Sequence, residues 1–192
     1  MKRLAKLFAI VLLLPLGGCD ELEELLNEEI DVSITFAGDL EITSESAVSE
    51  PTDPVNVETE LATYDIDGDP DVRELLNGDA EITKVKINRI RYSYKDFSGN
   101  EAAFVIEGGF SFIDPRMSIE VYPITDVNIN IADADFRNDA FVLEDDFSAL
   151  ESGLVDNPTI IMAYFGRISH NPVDFKVGIS VDVTITVKPD PL

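Results

Sequence analysis

The 192-residue chain contains no tryptophan, one cysteine, one histidine, and only 14 lysines and arginines against 38 aspartates and glutamates. Each shortage excludes something. A single cysteine closes no intramolecular disulfide, so stability must come from packing. One histidine and no spare thiol weaken Ser-His-Asp, Cys-His and multi-histidine zinc readings; His170, followed by Asn171-Pro172, reads as a turn between strands. The formal net charge of −24 argues against nucleic acid, whose binding relies on Lys and Arg displacing phosphate counterions, and against anionic headgroups. Acids are plentiful, but no spacing selects a glycosidase-like carboxylate pair, so the expectation is a non-catalytic protein. There is no alternating βαβ pattern and no internal repeat. Yet 45% of the residues are hydrophobic, far too many for a disordered acidic tail.

At the N-terminus, Lys2, Arg3 and Lys6 precede an apolar run, Leu7 to Leu14, too short to span a bilayer. Leu16-Gly17-Gly18-Cys19 follows. This segment resembles the signal peptide of bacterial lipoproteins, with leucine three positions before the cysteine and small residues between. The resemblance implies cleavage between Gly18 and Cys19 and attachment of diacylglycerol to the Cys19 thiol, usually with acylation of the new amino group. Two or three chains on one residue suffice for stable anchoring without a spanning helix. The alternative is ordinary cleavage that leaves a soluble protein, but it gives Cys19 no role. Loss of residues 1–18 removes three bases and no acid, leaving 38 acids against 11 bases. Residues 19–29 then form an acidic tether, DELEELLNEE after the cysteine. In enteric bacteria, Asp directly after the lipidated Cys resembles an inner-membrane retention signal. In Bacteroidota, an acidic run there resembles a surface-display signal. Because the acids continue past Asp20, the outer membrane or cell surface is preferred over the inner membrane within the cell envelope.

Residues 30–192 read as one antiparallel β-sandwich, immunoglobulin-like or jelly-roll, with eight or nine strands and one or two short helices. Ile30, Val32, Ile34 and Phe36 alternate with polar residues, and Gly38 suggests a bend or bulge before Leu40 and Ile42. Val55 to Tyr64 gives a weaker strand, then a helix near Asp71 ends at Gly78. The apolar phase changes between Val85-Ile87 and Ile90-Tyr92-Tyr94, which predicts a bulge near Asn88 or Arg89; Phe97 to Asn100 reads as a turn. Strands follow at Ala102 to Ile113, Met117 to Tyr122 and Val127 to Ile131; Asp133 to Asp139 reads as a loop and Asp146 to Glu151 as a helix. Thr159 to Ile168 is apolar enough to be buried on both faces. Seven successive odd positions from Phe175 to Val187 are apolar. At ~3.3 Å per residue such a strand spans about 43 Å, which predicts a bend at Gly178 or an edge shared by two sheets.

Two stretches carry candidate binding chemistry. Asp65, Asp67, Asp69 and Asp71 put hard oxygen ligands at alternate positions of a turn, as calcium requires. The stretch resembles the start of an EF-hand loop but departs from it, with Pro70 in place of the glycine and Leu76 in place of the final glutamate. That leaves a looser calcium turn or a solvated helix cap. Asp133, Asp135 and Asp139 form a weaker second cluster. The second stretch holds the one basic strip, Lys84, Lys86, Arg89, Arg91 and Lys95. Tyr92 and Tyr94 are candidate platforms for a glycan, with Arg89 and Arg91 on the opposite face for an acidic partner. The competing readings place both tyrosines in the core and pair the bases with acids across strands. The expectation is a lipid-anchored structural or interaction module with a membrane and a protein or glycan as partners. The alternative is a calcium- or glycan-binding sandwich.

Overall fold

Apolar residues at every second position are the dominant signal, and they build two antiparallel sheets laid face to face. A computed structural model describes residues 29–44, 54–76, 80–113 and 119–188. The signal segment, Cys19, the tether to residue 28, Gly78 and Asp114-Pro115 lie outside the described residues. The strands are β1 (Ile30–Ser44), β2 (Val55–Glu58), β3 (Ala62–Asp65), β4 (Glu81–Gly99), β5 (Phe104–Ile113), β6 (Ile119–Pro123), β7 (Ile129–Asn130), β8 (Phe141–Leu143), β9 (Thr159–Ile168) and β10 (Val173–Lys188). Three short helices join them: α1 (Pro70–Leu75), α2 (Ile131–Arg137) and α3 (Ser148–Asp156). One sheet has the order β1-β10-β4-β8; the other runs β2-β9-β5-β6, with β3 also on β9 and β7 also on β5. The expected β-sandwich is therefore present, with three helices among the described residues rather than one or two.

The clearest sequence pattern becomes the central strand of the first sheet. All eight odd-numbered residues of β10 from Val173 to Val187 are at most 4% exposed. β10 is no edge, contrary to one of the two expectations, and its pairing runs on through Gly178. It pairs with β1 in unbroken register from Ile30↔Val187 to Ser44↔Val173, and with β4 on its other side. Its length is matched by two equally long neighbours. The same register runs straight through Gly38, so no bulge forms there. The bulge expected in β4 is present: Ile87 faces Val183 and Arg89 faces Asp182, leaving Asn88 as the extra residue. That one insertion lets Val85 and Ile87, then Ile90, Tyr92 and Tyr94, all point inward. β4 also continues to Gly99, and the turn lies just beyond, where Asn100 Oδ1 accepts from Ala102 N–H at 3.0 Å.

Helix carboxylates complete the open edge of β4. β8 pairs only with Ile90 to Tyr92. On one side of it Glu151 of α3 accepts from Ile87 N–H at 2.8 Å; on the other, Asp135 of α2 accepts from Phe97 N–H at 2.9 Å. An uncovered edge would template pairing with another chain. The residues of α2 read as a loop in sequence because Asp and Asn favour turns. Here Asn130 caps the helix by accepting from Asp133 N–H at 2.9 Å, and Asn138 closes it in the left-handed region at φ 54°. The strand expected over Val127 to Ile131 shrinks accordingly to β7. α3 begins at Ser148 and runs to Asp156, past the Glu151 expected as its end.

In the second sheet, Thr159 to Ile168 forms β9, central between β5 and the pair β2 and β3. The single strand expected from Val55 to Tyr64 is split because Thr59 Oγ1 accepts from Tyr164 N–H at 2.9 Å, taking a position that a backbone carbonyl would hold. Aromatic rings join the sheets, with Tyr92 against Phe110 (centroids 5.6 Å apart) and Tyr94 against Tyr164 (6.5 Å). Gly108 and Gly166 are opposite each other in register, and the Tyr164 ring occupies the space their side chains would fill: a methyl on Gly166 would lie 2.8 Å from the Tyr164 hydroxyl.

Candidate functional site

The acidic turn is built around its own hydrogen bonds. Ile66 is fully buried, and the backbone closes through Gly68 N–H to Asp65 O (3.2 Å) and Asp69 N–H to Ile66 O (3.1 Å). Asp69, not Asp71, is the N-cap of α1. Its Oδ1 accepts from Asp71 N–H at 3.0 Å and its Oδ2 from the Tyr64 hydroxyl at 2.9 Å. The Asp67 carboxyl is pushed above its ordinary value, first by desolvation and then by the Asp65 charge. Among the described residues no three His, Cys, Asp or Glu side chains converge to hold a metal ion. Asp69 thus engages both carboxylate oxygens in the cap and on Tyr64, and the calcium reading of Asp65, Asp67, Asp69 and Asp71 draws no support from the turn. In the second cluster, Asp135 binds Phe97 N–H, and Asp139 accepts from Arg137 Nε at 2.9 Å.

Tyr92 and Tyr94 are 2% and 1% exposed. They are core residues, and no sugar can stack on them. Burial raises both hydroxyl pKa values. Arg89 and Arg91 point the other way, so the four residues form no common surface. On that outer face of the first sheet the polar groups bond to one another. Arg91 Nη2 lies 2.6 Å from Asp182 and Lys95 Nζ 2.9 Å from Asp39. Thr35 donates to Asp182, Thr186 to Asp31 and Asn88 to Thr184. A trough of about 450 Å³, lined by Ala37, Gly178 and Ser180 among others, is crossed by Lys95, whose Nζ lies over Gly178. Arg91 and Lys95 of the basic strip therefore balance neighbouring acids across strands. His170 Nδ1 lies 2.7 Å from Ser169 Oγ, which also accepts from Phe104 N–H at 3.0 Å. That hydroxyl is buried and holds the chain end of β9 to the start of β5.

The outer face of the second sheet has a different character. Its register gives three adjacent rows: Glu58, Phe165, Gly109 and Pro123; then Ala163, Ser111 and Val121; then Thr63, Ile161, Ile113 and Ile119. Only Glu58 carries a charge. Ile119 and Val121 are 61% and 55% exposed, and Leu61, just before β3, is 60% exposed. On a chain this acidic, these rows stand out as apolar and partly exposed. At one end lies a groove of about 620 Å³ lined by Asn56, Glu58, Glu107, Gly108, Pro123 and Phe165. The Phe165 ring lies across Gly109, its Cε1 2.9 Å from where a side-chain carbon there would sit. Sequence reading missed this surface. A run apolar on both faces, as in Thr159 to Ile168, does not say which face a second layer will cover. The Gly108-Gly109 pair was the available signal, since strand glycines mark close approach of another group.

Among the described residues no helix is long and apolar enough to cross a membrane. No family model and no curated protein matches the chain. Two solved structures are similar at a low level. The 60-mer BFDV capsid protein aligns with 10% identity over 87% of this chain and 98% of its own, at a TM-score of 0.38. Desmodium yellow mottle tymovirus aligns with 10% identity over 94% and 95%, at a TM-score of 0.32. At these scores neither likeness bears on what this chain does.

Proposed function

We propose that this protein is an exported, lipid-anchored, non-catalytic interaction module of the bacterial cell envelope. The observation that carries the reading is Leu16-Gly17-Gly18-Cys19 behind a basic and apolar leader. Cys19 is the anchor, residues 20–29 are the spacer, and the sandwich presents a contact surface away from the lipid. The asymmetry of the two outer faces supports this role: polar groups satisfy one another on the first sheet, and an apolar face is left open on the second. In this reading the contact lies on that sheet face. The experiment is fractionation of cells expressing the wild type or Cys19→Ala, with labelling by a fatty-acid analogue. The wild type should take the label and partition with membranes, and the variant should do neither. A Cys19→Ala protein that still carries label and still sediments with lipid would overturn the anchor.

A further inference from the structure

The groove beside Phe165 has features that the apolar face as a whole lacks. One of its lining residues is an aromatic ring that reaches over a glycine. Gly109 is buried and pairs with Phe165 across the β5–β9 ladder, and the ring fills the space a side chain would take. Phe165 itself is partly exposed and lines the groove. Asn56, Glu58 and Glu107 line the groove with it, and Arg167 stands beside them on the strand, all four exposed. Asn56 and Glu107 flank Arg167 in register, and Glu58 is opposite Phe165. Among the described residues, none of these four side chains bonds to another protein group. That is the reverse of the first sheet, where the outward Arg91, Lys95, Asp39 and Asp182 hold one another.

We infer that this groove binds a neutral glycan. The inference uses the outer face of the second sheet as the contact surface and does not depend on the anchor. A sugar ring has an apolar C–H face, which an aromatic ring in such a site buries, and hydroxyls at its edge, which donate to carboxylates and exchange hydrogen bonds with an amide or a guanidinium. Phe165 supplies the first; Glu58, Glu107, Asn56 and Arg167 supply the second. The volume, about 620 Å³, lies within the range of small-ligand sites. Charge selects among glycans. Two carboxylates against one guanidinium, on a chain of net charge −24, repel uronic, sialic and phosphorylated sugars, so the ligand is uncharged.

The test is an array of defined neutral oligosaccharides of glucose, galactose, mannose and N-acetylglucosamine, with uronic and sialic acid oligomers beside them. It is probed with the full-length protein in neutral detergent, and hits are titrated calorimetrically. Neutral oligomers should bind and acidic ones should not. Phe165→Ala should weaken binding about tenfold, the loss of one stacked apolar face. Asn56→Ala and Glu107→Gln, at exposed positions outside the core, should each weaken it severalfold with unfolding curves unchanged. Arg91→Ala, on the opposite sheet, should change nothing. Silence of all neutral sugars overturns the glycan while leaving Cys19 anchoring to its own test. Binding that survives both Phe165→Ala and Asn56→Ala overturns the site.

Discussion

Replacing Gly166 by alanine isolates the packing that joins the two sheets. Alanine at an unstrained strand position normally stabilises by about 0.4–1 kcal/mol, because it restricts the unfolded chain. At Gly166 the new methyl would lie 2.8 Å from the Tyr164 hydroxyl and 3.1 Å from its Cε1 and Cζ. Tyr164 has no room to retreat: it is fully buried, with Phe110 5.5 Å and Tyr94 6.5 Å from it between ring centroids. Overpacking of this kind costs about 1–3 kcal/mol, so the net expectation is a loss of about 1–2 kcal/mol in urea unfolding of the full chain. Two glycines of the other sheet serve as controls. Gly38→Ala meets nothing within 4 Å and should be neutral or slightly stabilising. Gly178→Ala meets the flexible end of Lys95 and, at 3.0 Å, the Ser93 hydroxyl. It should cost no more than the exposed Lys95–Asp39 pair contributes, under about 1 kcal/mol. In the Tyr164→Phe background, which removes the closest atom, the Gly166→Ala penalty should shrink by roughly 1 kcal/mol. If Gly166→Ala matched Gly38→Ala in the wild-type background, the account of Tyr164 as the filler over paired glycines would be wrong.

All five tyrosines have raised hydroxyl pKa values. Tyr64, Tyr122 and Tyr164 are pushed up to about 12, and Tyr92 and Tyr94 further, with burial the leading cause in each case. Because the folded values exceed the unfolded value near 10, the stability from these groups is complete below pH 10 and is lost as pH rises toward the folded values. Tyrosinate absorbance, uncontaminated because tryptophan is absent, should appear above pH 10 together with loss of the folded signal. A separate phase at pH 10 in folded protein would refute the burial. Asp69→Ala removes both the cap on Asp71 N–H and the acceptor for Tyr64, and should cost about 1–2 kcal/mol by urea unfolding. In the wild type, equal millimolar Ca²⁺ and Mg²⁺ should raise the melting temperature equally, through screening alone; a calcium-specific rise would restore Asp65 to Asp71 as a metal site.

The β-sandwich was legible because a period of two is a local property: Phe175 to Val187 and Ile30 to Ile42 state their buried face without reference to any partner. The bulge at Asn88 was legible for the same reason, since one inserted residue reverses the phase. The leader and Cys19 form a linear motif, so their reading rests on sequence alone. Tertiary structure decided everything that depends on a neighbour. β10 became central rather than an edge because two equally long strands flank it. Asp69 became the helix cap with the Tyr64 hydroxyl folded back onto its second oxygen. Asp133 to Arg137 became helical because Asn130 caps the turn and Asp135 has an open strand edge to fill. Whether an apolar face is core or surface depends on whether a second layer covers it. Tyr92 and Tyr94 therefore went inside, while Phe165, from a run that read as wholly buried, lines the open groove.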